Sequence, residues 1–265
     1  CSIAENKSTI FCLIASFLSL TIVSEISSYP GSLFNKIILF LTSEIISGGI
    51  GLQLAKYMAK FDSVIGTYKK NKPLIKIKNV KFVQCDISDE KQLIKLEKYI
   101  KNKSKLILIS AAAVKLDNLI INQSMNDWKK MIDVNLGSNF LLCKFLIKKM
   151  IFCQWGRVIF FSSTGARRGD VGTSAYSASK TGLQGLSKVI SKEYAQYNIT
   201  SNIIELGAFE AGMYKKLSKK EKIKIIKKLP NKKLGTIKDI ANTIKFLINT
   251  NFINGSVIKI DGGAD

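Results

Sequence analysis

Residues Gly156 to Lys180 read GRVIFFSSTGARRGDVGTSAYSASK, and how that stretch divides decides the fold. Arg157 to Phe161 is a short run rich in β-branched and aromatic residues, the composition of a buried strand, and it stops at the polar pair Ser162-Ser163. Ser174 to Gln196 then reads as a helix, and a further apolar run, Thr200 to Leu206, reads as the next strand. Tyr176 stands thirteen residues beyond Ser163, and Lys180 stands four beyond Tyr176. Residues four apart share a helix face, so the spacing sets an ammonium beside a phenol. A neighbouring cation favours the phenolate, which predicts a tyrosine pKa drawn down from about 10 and a side chain usable as a general acid or base.

Working outward, apolar runs alternate with helical patterns along the whole chain from Lys36 onward. Strands are predicted at Ile37 to Leu41, Ser63 to Thr67, Val80 to Cys85, Leu106 to Ser110 and Ser256 to Ile260, besides the two already named. Helices are predicted from Gly51 to Phe61, with Leu52, Ala55, Tyr57, Met58 and Ala59 mostly on one face, and from Glu90 to Ile100, with Leu93, Ile94, Leu96 and Ile100 inward. A long helix follows Ser124, where Ser124 and Asp127 form a capping pair, and turns Met131, Val134, Leu141, Leu142 and Phe145 toward the core. This order belongs to an α/β domain with a doubly wound parallel sheet of about seven strands. The segment from Tyr214 to Lys233 carries ten lysines and one acidic residue, Glu221. Two readings fit it: a solvated amphipathic helix, or a mobile lid that also meets an anionic partner.

Composition excludes several classes of chemistry. The chain has 265 residues and no histidine, which removes Ser-His-Asp and Cys-His catalysis and the commonest metal ligand. Cys1, Cys12, Cys85, Cys143 and Cys153 include no CxxC pair, so neither a disulfide framework nor structural zinc is expected. Lys and Arg outnumber Asp and Glu by 41 to 19, a net charge of +22. A lysine, asparagine and isoleucine excess of this kind fits a bias in base composition, yet the field still favours acidic partners. At the N-terminus, Ile10 to Val23 is a 14-residue apolar run, too short to span a membrane. Residues 1–34 are therefore expected to be an extension or targeting segment, and residues 35–265 the catalytic domain. The location expected is cytoplasmic, or organellar and plastid-like if the segment is a signal.

Gly48, Gly49 and Gly51 lie between the first strand and its helix, where a backbone can approach a pyrophosphate at a helix N-terminus. With this turn, Asp133-Val-Asn135-Leu, the strand ending at Ser163, the Tyr176/Lys180 helix, Leu234-Gly235, Asp239-Ile-Ala-Asn242 and Asp261-Gly-Gly263 in order, the chain resembles the short-chain dehydrogenases/reductases. It is most like the 3-oxoacyl-(acyl carrier protein) reductases of fatty-acid synthesis. The resemblance runs from about Lys36 to Gly263 and implies a single Rossmann-type domain.

It further implies NADP(H)-dependent reduction of a thioester carried on acyl carrier protein by a homo-oligomer, tetramer or dimer, with no role for a metal or nucleic acid. Tyr176 would protonate the carbonyl oxygen, Ser163 would hydrogen-bond it, Lys180 would tune Tyr176 and hold the nicotinamide ribose, and Asn135 would support a water relay. Cofactor contacts carried over are Ser47, Gly48, Gly49, Ile50, Gly51, Lys69, Lys70, Asp86, Ile87, Ala111, Ala112, Ala113 and Gly207, with Tyr176 and Lys180. The departures fall at this end. The family's TGxxxGxG is met by Glu44 to Gly51 with Ile45 at the first glycine, or by Thr42-Ser43 with two residues inserted; NNAG becomes Ser110-Ala-Ala-Ala113, and PG becomes Leu206-Gly207. Lys69-Lys70 after the second strand, with no acidic residue beside them in sequence, points to NADPH over NADH. Activity on a different ketone or alcohol, and a basic scaffold or RNA-binding protein with an eroded cofactor site, are the alternative readings.

Overall fold

The computed structural model describes residues 36–41, 49–100, 105–212, 214 and 217–264. The readings made of residues 1–34, of the turn at 42–48 with Ser47 and Gly48, and of Lys215 and Lys216 lie outside the described residues. Seven strands form one sheet, each parallel to its neighbours. They are β1 (Lys36–Leu41), β2 (Ser63–Tyr68), β3 (Val80–Gln84), β4 (Lys105–Ser110), β5 (Gly156–Ser163), β6 (Ile199–Leu206) and β7 (Val257–Ile260). Their order is β3-β2-β1-β4-β5-β6-β7, so the winding reverses between β1 and β4 and opens a crevice at the carboxyl ends of the strands.

Because both faces of a parallel sheet are covered, β4 buries Leu106, Ile107, Leu108 and Ile109 without alternation in polarity. Leu106, Leu108, Val158, Phe160 and Ile203 face one layer, formed by α2 (Glu90–Leu96), α4 (Ser138–Phe152) and α6 (Ser174–Glu193). Ile107, Ile109, Ile159, Phe161 and Ile204 face the other, formed by α1 (Ile50–Met58) and α8 (Ile237–Asn249). Between them in sequence come α3 (Met125–Ile132), α5 (Thr164–Arg168) and α7 (Lys219–Lys228).

Three sequence expectations are corrected here. In α1 Leu54 is fully buried along with Met58, Leu52 is only half-buried, and Ile94 of α2 points outward at 53% exposure. The long helix after Ser124 runs from Met125 to Phe152 but is not regular: α3 passes through a π-helical turn, Asp133–Gly137, into α4. That turn inserts an extra residue and rotates α4 about its axis, so Cys143, Leu146, Ile147 and Met150 join Leu142 in the core while Leu141 and Phe145 lie at its margin. The Ser124 cap is as expected, with its hydroxyl accepting from the Asp127 amide at 3.1 Å. The sequence reading places no helix at α8, although the signals are there. Thr236 and Asp239 form a capping box, and Ile240, Ile244, Leu247 and Ile248 repeat at helical spacing and are buried.

Candidate active site

Ser163 ends β5 at the carboxyl edge of the sheet, and α6 returns so that its first two turns cross that edge. The Ser163 hydroxyl lies near enough to the Tyr176 phenol to favour its ionised form, and the phenol is only 5% exposed. One turn further, Lys180 is buried, and its Nζ donates to the Phe161 carbonyl at 2.9 Å. Ala166 and Ala175 pack with Tyr176 and Met131, and Trp128 lies against this cluster. Gly182 is required by close approach, since a Cβ there would meet Leu136 at 2.9 Å. Its absence lets α6 lie directly on the π-helical turn that carries Asn135.

Asn135 is wholly buried, and its amide is committed to protein partners. Oδ1 accepts from the Val114 amide at 2.7 Å, while Nδ2 donates to the Val114 carbonyl at 2.9 Å and to Ser179 Oγ at 3.1 Å. Both amide hydrogens thus tie the segment after β4 to α6. The side chain acts as a clamp between these elements.

The electrostatics of the pair also differ from the sequence expectation. Burial raises the Tyr176 pKa above its usual value, Asp117 raises it further, and the nearby Ser163 hydroxyl opposes both. Lys180 does not draw the phenol down, because its ammonium is directed to the Phe161 carbonyl. Burial pushes Lys180 itself down to about 8. Lys115 sits 5.5 Å above the Tyr176 ring and is paired with Asp117 at 2.8 Å. Tyr176 is therefore a phenol that keeps its proton at neutral pH, the state of a proton donor.

The other end of the crevice carries the expected cofactor residues in mixed settings. Gly49 precedes α1 without a side-chain cap, the first turn of α1 holds no acidic residue, and Gly51 is buried within it. Ile50 lies against Gly212 of the segment after β6, where an added Cβ would meet Ile50 Cγ1 at 3.5 Å. Ala111 to Ala113 follow β4 directly, with Ala112 buried and Ala113 exposed. Ile87 belongs to the core beside Leu93 and Leu96. Gly207 has a packing cause, since a Cβ there would lie 2.7 Å from Asp261 Cα.

The tertiary structure brings a carboxylate distant in sequence to Lys69, whose Nζ meets Asp86 Oδ2 at 2.5 Å. Burial works to raise the Asp86 pKa, but hydrogen bonds from Lys69 and Ser88 outweigh it and hold the carboxyl below its usual range. Lys70 is exposed. Sequence reasoning overlooked Ser110 as a polar contact: its Oγ is buried at the carboxyl end of β4 with no hydrogen-bond partner. Its place at the end of an apolar strand is the signal that would have found it. Among the described residues, no group of three or more Cys, Asp or Glu side chains is arranged to hold a metal ion, and no helix is long and apolar enough to cross a membrane.

A family model described as Enoyl-(Acyl carrier protein) reductase matches residues 46–265. The chain is 38% identical over 185 residues to a 3-oxoacyl-(acyl carrier protein) reductase of Buchnera aphidicola, covering 68% of this chain and 76% of that protein. It is 34% identical over 226 residues to the protein of the same name from Rickettsia conorii, covering 82% and 92%. Carbonyl reductase family member 4 of Xenopus laevis is 30% identical over 224 residues, covering 82% and 94%. With these matches over most of its length, and with its parallel seven-stranded sheet, the chain belongs to the short-chain dehydrogenase/reductase family of oxidoreductases.

Proposed function

We propose that the chain reduces a 3-oxoacyl thioester carried on an acyl carrier protein to the 3-hydroxyacyl form, with NADPH as the reductant. The observation that carries this reading is the half-buried Ser163 hydroxyl at the carboxyl edge of the sheet, beside the buried phenol of Tyr176. A carbonyl oxygen accepts two hydrogen bonds, and this pair can supply both. The printed names of the Buchnera and Rickettsia relatives support the same substrate class.

Two features of the crevice support dinucleotide binding. The start of α1, free of acidic side chains, suits a pyrophosphate, and the unpartnered Ser110 hydroxyl suits a polar ligand atom at the end of β4. Gly49, Ile50 and Gly51 would line the pyrophosphate, Lys69, Lys70, Asp86 and Ile87 the adenosine end, and Ala111 to Ala113 the middle. Bound NADPH would supply the hydride. Tyr176 would give its proton to the carbonyl oxygen, and the raised pKa keeps the phenol loaded for that step. Ser163 would hold the oxygen, Lys180 would hold the ribose and the Phe161 backbone, and Asn135 would keep the segment after β4 fixed against α6.

Helix α7 carries Lys219, Lys220, Lys222, Lys224, Lys227 and Lys228, while its acidic residue, Glu221, is engaged with Ser218 in a capping box. None of its residues is fully buried, and this basic surface would meet an acidic carrier. Dimeric or tetrameric assembly belongs to the same proposal and is checked by light scattering. The deciding experiment follows NADPH consumption by purified protein with acetoacetyl and crotonyl thioesters in parallel. Consumption with the first alone is expected; consumption with the second alone, or with neither, overturns the reading.

A further inference from the structure

Glu205 lies one residue from the end of β6 and is wholly buried. In the sheet register it is the partner of Ser162, next to Ser163. Its Oε1 accepts from Arg167 Nε at 2.9 Å, and its Oε2 is buried without a hydrogen-bond partner. A carboxylate in the interior is costly unless paired, and an aliphatic side chain at this position of a strand would avoid the cost. The charge therefore calls for a use, and its partner indicates one.

Arg167 belongs to α5, which has five residues and is too short to hold its shape alone. This helix backs the reacting centre. Ala166 packs with Ala175 and Tyr176, and a Cβ added at Gly165 would lie 3.7 Å from Ser163 Oγ and 2.7 Å from Asp170 Oδ2. Arg168 is tied to Asp170, and Gly169 ends the helix in the left-handed conformation at φ 73°. The Arg167–Glu205 pair links the wall behind Tyr176 to β6.

We propose that Glu205, acting through Arg167, is a positioning residue that fixes α5 and so holds Ser163 and Tyr176 in register with the carbonyl. This rests on the assignment of Ser163 and Tyr176 as the reacting pair. A misplacement of about 1 Å at a reacting centre costs up to about 100-fold in rate, so Glu205→Gln and Arg167→Met should each lower kcat by about 10- to 100-fold, with KM for NADPH unchanged. Turnover is to be expressed per dinucleotide-binding site, so that loss of folded protein is separated from loss of geometry. The double variant Arg167→Met with Glu205→Met removes both charges and should regain the wild-type melting temperature while keeping the low kcat. Arg167→Lys should recover part of the rate. Wild-type turnover per site in the double variant, or in the two single variants, would overturn this inference alone. A wild-type protein that binds dinucleotide but turns over no thioester would overturn the underlying assignment, and this inference with it.

Discussion

Replacing Lys180 by Met should stabilise the fold near neutral pH while abolishing activity, and the size of the effect follows from the burial of the ammonium. Burial lowers the Lys180 pKa from 10.5 to about 8. At about 1.36 kcal/mol for each tenfold, this corresponds to a cost of about 3 kcal/mol for keeping the charged form in the folded state. Methionine removes that cost but also removes the 2.9 Å bond to the Phe161 carbonyl, and loss of a buried partner costs about 1–3 kcal/mol. The net gain at pH 7 is about 0–2 kcal/mol, which for a domain of this size raises the melting temperature by at most about 8 °C.

The pH dependence is the sharper test. The folded pKa lies below the unfolded one, so between about 8 and 10.5 the unfolded state binds more protons, and the wild type gains stability as pH rises through that window. Below about 8 both states hold the proton and the full cost is present. The advantage of the variant, measured as a difference in denaturation midpoints so that shared groups cancel, should therefore be largest below pH 8 and shrink by about 3 kcal/mol toward pH 10.5. A difference that stays constant from pH 7 to pH 10 would refute the reasoning. Turnover by the variant should fall at least about 100-fold.

Tyr176→Phe should lower turnover by about 10²–10⁴-fold without a change in the circular dichroism spectrum, and near-normal turnover would remove the residue from the mechanism. Lys69→Ala with Lys70→Ala should raise KM for NADPH and leave that for NADH nearly unchanged, while Asp86→Asn, by freeing Lys69, should lower KM for NADPH; equal effects on both cofactors would argue against a 2′-phosphate site here. If α7 steers an acidic carrier, kcat/KM for a carrier-bound thioester should fall with ionic strength more steeply than for a small thioester, and parallel slopes would leave α7 as a solvated helix. Thr236→Ala should destabilise the domain by about 1 kcal/mol in urea titration, through loss of the α8 cap.

The sequence by itself determined the order of the strands and of most helices, the parallel sheet and the placing of Tyr176 and Lys180 one helical turn apart, because these depend on local periodicity. An apolar run such as Leu106 to Ile109 or a Tyr-to-Lys spacing of four carries its consequence within a few residues. Tertiary structure decided what depends on residues distant in sequence. Asp86 reaches Lys69 only because β2 and β3 lie side by side, and Glu205 reaches Arg167 only because β6 flanks β5. The π-helical turn that buries Asn135 leaves no mark in a helical pattern, since it shifts the pattern by one residue instead of breaking it. The direction of the Tyr176 pKa was decided the same way. Spacing supplies the neighbouring charge, but burial on all sides, and the carbonyl that turns the ammonium aside, arise only when the chain is folded.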